Sequence, residues 1–151
     1  MMDDTRHLKY IEILLVEDNP SDVRLTREAL KESKMSINLH VVEDGASALR
    51  FLLREGEYAN VPRPDLIILD LNLPKKTGHE VLARVKSEET LSRIPVVVLT
   101  ASHADEDILK SYKLHANCYI VKPLDVDKFF TIVRSIENFW ISIVKLPHQT
   151  G

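Results

Sequence analysis

The chain has 151 residues, 44% of them hydrophobic and 28% charged, with a net charge of −3. That is the make-up of one ordinary globular domain, long enough to bury a core. The slight acidity argues against a general nucleic-acid surface, which needs a basic face. No apolar run approaches the roughly 18 residues that span a bilayer, and the N-terminus lacks a signal-peptide core. One cysteine excludes an internal disulfide. A cytoplasmic protein that binds neither nucleic acid nor membrane directly is expected.

Ile11 to Val16 is the first apolar run and ends in Glu17-Asp18-Asn19. Pro20 then suits the first turn of a helix, with Asn19 as its cap. That helix carries Val23, Leu25, Ala29 and Leu30 and should end near Ser33. Ile37 to Val42 reads as a strand. Asp44 is placed to cap a helix bearing Ala46, Ala48, Leu49, Leu52 and Leu53. Residues 55–64 form the one long connection, with Gly56, Pro62 and Pro64. The central stretch follows, Leu66-Ile67-Ile68-Leu69-Asp70-Leu71-Asn72-Leu73-Pro74. Its aliphatic run reads as a strand over 65–69, buried on both faces. After a polar turn, Val81, Leu82 and Val85 mark one side of a helix. Ile94 to Leu99 is a further buried strand with Thr100 at its end. A helix over about 105–114, a short strand Cys118 to Val121 and a last helix from near Asp125 complete the series.

Strands alternating with helices predict an α/β fold, a five-stranded parallel sheet with helices on both faces. The chain has four glycines and no glycine-rich phosphate loop, which excludes a dinucleotide or P-loop site. Parallel strands deliver their carboxyl ends to one edge. Glu17, Asp18, Asp70, Thr100 and Lys122 would gather there. Asp70 alone reads as a turn cap. Three carboxylates together require a cation or protonation, and an all-oxygen set suits Mg²⁺. A metal, a nucleophilic carboxylate, a hydroxyl and a lysine are the parts that form and hydrolyse an aspartyl phosphate.

Glu17-Asp18-Asn19, Asp70 with Pro74 and Gly78, Thr100-Ala101, and Tyr119 before Lys122-Pro123 stand in one order and spacing. On these residues the chain resembles a receiver domain of the two-component response-regulator family, over roughly residues 11–137. The resemblance implies a flavodoxin-like doubly wound sheet of strand order 2-1-3-4-5. It implies that Asp70 takes a phosphoryl group from a phosphohistidine on a sensor histidine kinase. Asp18 would bind Mg²⁺ directly, Glu17 through water and Asn72 through its backbone carbonyl. Lys122 would pair with the phosphate, Thr100 would move to hydrogen-bond it, and Tyr119 would turn in response. The family usually has glycine where this chain has His115, which puts that loop in question.

Residues 57–65, 71–76, 116–119 and 136–147 resemble stand-alone regulators that partner bacterial phytochrome-type histidine kinases. Residues 1–10 read as an extension, 11–138 as the receiver and 139–151 as an apolar C-terminal extension. Phe139, Trp140, Ile143 and Val144 would lie near one another on a helix and suggest a homodimer interface. The six histidines show no metal-ligand spacing. Two rival readings are a pseudo-receiver that is never phosphorylated and an aspartyl-nucleophile phosphohydrolase. The first usually lacks an acidic ligand or the lysine. The second needs an acid where this chain has Asn72.

Overall fold

The computed structural model describes residues 10–31, 36–73, 75, 77–100, 118–121, 127, 131, 134 and 135. The expected helix over 105–114, the apolar extension and Lys122 lie outside them. Five parallel strands form one sheet in the order β2-β1-β3-β4-β5. They are β1 (Ile11–Val16), β2 (Ile37–Val42), β3 (Leu66–Asp70), β4 (Val96–Thr100) and β5 (Cys118–Val121). The helices are α1 (Pro20–Lys31), α2 (Gly45–Leu52) and α3 (Gly78–Ser87), with a 3₁₀ turn at Gly56–Tyr58. Asp127, Thr131, Arg134 and Ser135 are also helical, as expected of the final helix.

Every residue of β3 and β4 is buried, and all of β1 except Glu12. This is why β3 and β4 read as unbroken aliphatic runs, and β1 as a run interrupted only by Glu12, rather than as alternating strands. Alternate side chains feed two cores. Leu14, Val16, Ile67, Leu69, Val96 and Val98 pack on one face with α2 and α3. Ile13, Leu15, Leu66, Ile68, Val97 and Leu99 pack on the other with Ala29 and Leu30 of α1. β2 is an edge strand and is only partly buried, which accommodates Asn38 and His40. The imidazole Nε2 of His40 lies 2.7 Å from Glu12 Oε1 on the neighbouring strand, a structural role for one of the scattered histidines.

Two strand boundaries differ from the sequence reading. β3 begins at Leu66 and includes Asp70, because the Leu71 N–H still donates to the Leu99 carbonyl at 2.9 Å. Asp65 instead braces the strand start, its carboxylate accepting the Glu12 N–H at 2.8 Å. β4 begins two residues later than expected and includes Thr100. Ile94 belongs to the preceding turn, its N–H donating to the Leu91 carbonyl. The Lys86 ammonium braces this turn, 3.4 Å from the Ser92 and Ile94 carbonyls, and burial pushes its pKa down.

The helix starts follow from their caps. Asn19 Oδ1 accepts the Ser21 and Asp22 N–H groups at 2.8 and 3.2 Å. On α1, Thr26 is fully buried, its hydroxyl satisfied by the Asp22 carbonyl at 2.8 Å. Thr77 and Glu80 make a reciprocal capping box at α3. Phe51 joins the core and packs at a tilt against both His40 and Tyr58, ring centroids 5.4 Å apart in each pair, so the 3₁₀ turn is tied to the sheet.

Asp44 Oδ1 accepts the Ser47 N–H at 2.7 Å and caps α2. That bond, above all, holds the Asp44 pKa below its usual value; burial opposes it, and the Ser47 hydroxyl, Lys75 and Arg50 reinforce it. The folded carboxyl therefore ionises more readily than the unfolded one. Its stabilisation is complete above the unfolded pKa and is lost as pH falls through the folded one. We predict that Asp44→Ala costs about 1 kcal/mol at neutral pH. Urea unfolding should show the gap from wild type narrowing as pH drops below about 4. A gap independent of pH would assign the cost to packing instead.

Candidate functional site

The carboxyl edge of the sheet gathers the chemistry. β1 and β3 are adjacent, with Val16 in register with Leu69. The residues that follow, Glu17 and Asp70, are therefore brought side by side. Oxygen atoms of Glu17, Asp18 and Asp70 lie within 4.8 Å of one another. Glu17 is fully buried, Asp70 is 3% exposed and Asp18 is open to solvent. Backbone N–H groups fix two of the carboxylates. Asn19 N donates to Glu17 Oε2 at 3.2 Å, and Asn72 N donates to Asp70 Oδ1 at 2.9 Å. Asn72 itself is exposed.

Thr100 is buried at the end of β4, one residue beyond Leu99, which is in register with Asp70. Thr100 is itself in register with Val121 of β5, the residue before Lys122. Tyr119 lies within β5 opposite Val98. Its ring, like Lys122 and Pro123, is outside the described residues. The structure thus assembles Glu17, Asp18, Asp70 and Thr100 at one edge, with Asn72 just beyond.

Clustered carboxylates of low exposure repel unless a cation or a proton intervenes. Their all-oxygen donor set fits a hard divalent ion such as Mg²⁺ or Mn²⁺. One carboxylate stays exposed, leaving a wet side for an ion that keeps part of its hydration.

The loop after Asp70 is set by Gly78. The Gly78 N–H donates to the Leu71 carbonyl at 3.1 Å, bringing the start of α3 onto the end of β3. A Cβ at Gly78 would overlap the Leu71 Cα and lie 2.5 Å from the Asp70 carbonyl oxygen. Glycine is required here for close approach. The sequence marks this glycine but gives no distance for it. A second feature was not legible: Lys75 adopts a positive φ of 65° and its ammonium lies 3.7 Å from Asp44 Oδ2.

The family model for the response regulator receiver domain matches residues 13–134. The chain belongs to that family. The receiver is 53% identical over 135 residues to response regulator Rcp1 of Synechocystis, covering 89% of this chain and 92% of Rcp1. Among solved structures, it resembles the phosphorylated cyanobacterial phytochrome response regulator RcpA, with a TM-score of 0.80 and 54% identity. That match covers 89% of this chain and 96% of RcpA. It also resembles the Mn²⁺-bound form of Rcp1, with a TM-score of 0.77 and 52% identity, over 87% and 95% of the two chains. The receiver is a signalling domain, and its acidic pocket is of the kind that takes Mg²⁺ or Mn²⁺. Among the described residues no helix is long and apolar enough to cross a membrane.

We predict that Gly78→Ala destabilises the receiver by about 1–3 kcal/mol through overpacking. It should also weaken divalent-metal binding, because the shifted strand end carries Asp70. Urea unfolding and a Mn²⁺ titration check this. Wild-type stability and affinity in the variant would contradict the close-approach reading.

Proposed function

We propose that Asp70 is the phosphoacceptor of this receiver and that a sensor histidine kinase supplies the phosphoryl group. The convergence of Glu17, Asp18 and Asp70 within 4.8 Å at the sheet edge carries this reading. In the transfer, an Asp70 oxygen forms a bond to phosphorus and the phosphorus–nitrogen bond of the phosphohistidine breaks. The imidazole leaves with the electron pair. Hydrolysis by water later returns the free carboxylate.

Mg²⁺, when bound, would neutralise charge developing on the phosphoryl oxygens. Asp18 and Asp70 would hold it directly, Glu17 through water and Asn72 through its backbone carbonyl. The Asn72 N–H orients the Asp70 carboxylate before reaction. The Thr100 hydroxyl is the donor on β4 that would draw toward the new phosphate, with Lys122 as its cationic partner. Phosphorylation adds about −1.5 to −2 charge at pH 7. Movement of Thr100 toward that charge would let Tyr119 on β5 turn, changing the surface offered to a target. An aspartyl-nucleophile phosphohydrolase needs its acid two residues beyond the nucleophile, and Asn72 at that position is an amide. The reading is therefore of a phosphorylated switch, not a phosphohydrolase.

Similarity to RcpA, described as a phytochrome response regulator, supports a phytochrome-type kinase as the partner. Residues 1–10 and 139–151 would flank the receiver as extensions. Homodimerisation through Phe139, Trp140, Ile143 and Val144 rests on their sequence pattern, as these residues lie outside the described ones. A cytoplasmic location fits a kinase partner of this kind.

Incubation with Mg²⁺ and acetyl phosphate should add the mass of one phosphate, stable in acid and labile in base. Asp70→Asn should remain folded by circular dichroism and show no gain, a loss of at least about tenfold in phosphorylated fraction. Stoichiometric phosphorylation of the folded variant would contradict the assignment.

A further inference from the structure

We propose that Lys75 selects among phosphodonors by charge, and that Asp44 holds its ammonium in check. The inference rests on Asp70 being the phosphoacceptor and concerns how the donor reaches it. Three observations carry it. The first is placement. Asp44 follows β2 by two residues, and Lys75 follows Asp70 by five. Strand β1 lies between β2 and β3 in the sheet and ends at the acidic cluster. The Val42 carbonyl accepts the Glu17 N–H at 3.0 Å, so the β2 loop leaves the sheet beside Glu17. A contact from Lys75 to Asp44 therefore joins the loops on either side of the cluster.

The second observation is the backbone. Lys75 is one of two non-glycine residues with positive φ among the described residues. L-residues other than asparagine and aspartate seldom adopt that conformation. Gly78 is hydrogen-bonded to Leu71 behind Lys75, and Leu73 is buried in the core. The Lys75 side chain is exposed at the rim.

The third is an asymmetry within the pair. Asp44 is anchored by hydrogen bonds, its two oxygens accepting the Ser47 N–H at 2.7 Å and the Ser47 hydroxyl at 3.2 Å. The Lys75 side chain is 71% exposed, against 14% for Asp44, and the 3.7 Å separation is a loose ion pair. Such a lysine leaves its carboxylate readily when a stronger anion arrives. A phosphodonor approaching Asp70 must enter a site dominated by carboxylates. A cation at the rim lowers that barrier, more for a doubly charged donor than for a singly charged one. Asp44 cancels part of the effect in the resting protein.

The test compares initial phosphorylation rates with acetyl phosphate, a dianion, and phosphoramidate, a monoanion near neutral pH, at fixed Mg²⁺ and low salt. Lys75→Gln should slow acetyl phosphate about fivefold and phosphoramidate only about twofold. The change should appear in the half-saturating donor concentration and fade as salt approaches about 0.5 M. Lys75→Arg should restore most of the rate. Asp44→Asn keeps a capping side chain and should speed acetyl phosphate about twofold. Equal slowing with both donors, no slowing with either, or no gain in Asp44→Asn would overturn the inference while leaving Asp70 as the acceptor. A wild-type protein that takes no phosphate from either donor would overturn both.

Discussion

The structure turns on the charge held at the end of the central strands. Glu17 and Asp70 are almost wholly withdrawn from water, and their oxygens, with those of Asp18, lie within 4.8 Å of one another. At that separation and an effective dielectric near 20, Glu17 and Asp70 would repel by about 3.5 kcal/mol if both were ionised, while water screens the exposed Asp18. The parallel sheet imposes this cost by ending β1 and β3 side by side. Backbone N–H groups from Asn19 and Asn72 offset part of it. A divalent cation offsets more, and the same cation would accept the oxygens of a phosphoryl group. The site is thus a place where the fold gathers negative charge at the ends of neighbouring strands.

The elements around it serve to keep that edge in place. β3 and β4 are buried along their whole length, so their ends cannot drift without disturbing both cores. The start of α3 is pressed onto the Asp70–Leu71 backbone through Gly78, and the Thr77–Glu80 capping box fixes where that helix begins. Asp44 serves two neighbours at once, the first turn of α2 and the ammonium of Lys75. The rim of the site is built partly from the same groups that start its helices.

Much of this was legible in the sequence. Aliphatic runs marked β1, β3 and β4, broken only by Glu12 in β1, because parallel strands are covered on both faces, and the residue after each run fell at the functional edge. Asn19 and Asp44 were readable as caps from their side chains and position. The ends of β3 and β4 were not, since hydrophobicity stops at Leu69 and Leu99 whereas the hydrogen-bond ladder continues through Asp70 and Thr100. Thr26 escaped notice because its buried hydroxyl bonds to its own helix. Phe51 was missed although it links His40 to Tyr58 and orders a stretch that reads as plain loop. The Asp44–Lys75 contact joins distant loops, and no local pattern announces it.

The central claim is that Asp70, alone among the clustered carboxylates, bonds to the phosphoryl group. Borohydride reduction tests it most directly, because an acyl phosphate on aspartate is reduced to homoserine while free carboxylates are untouched. After phosphorylation in Mg²⁺, reduction and peptide sequencing, the account predicts homoserine at position 70 and unchanged residues at 17 and 18. Reduction at Asp18 or Glu17 with Asp70 intact would contradict it.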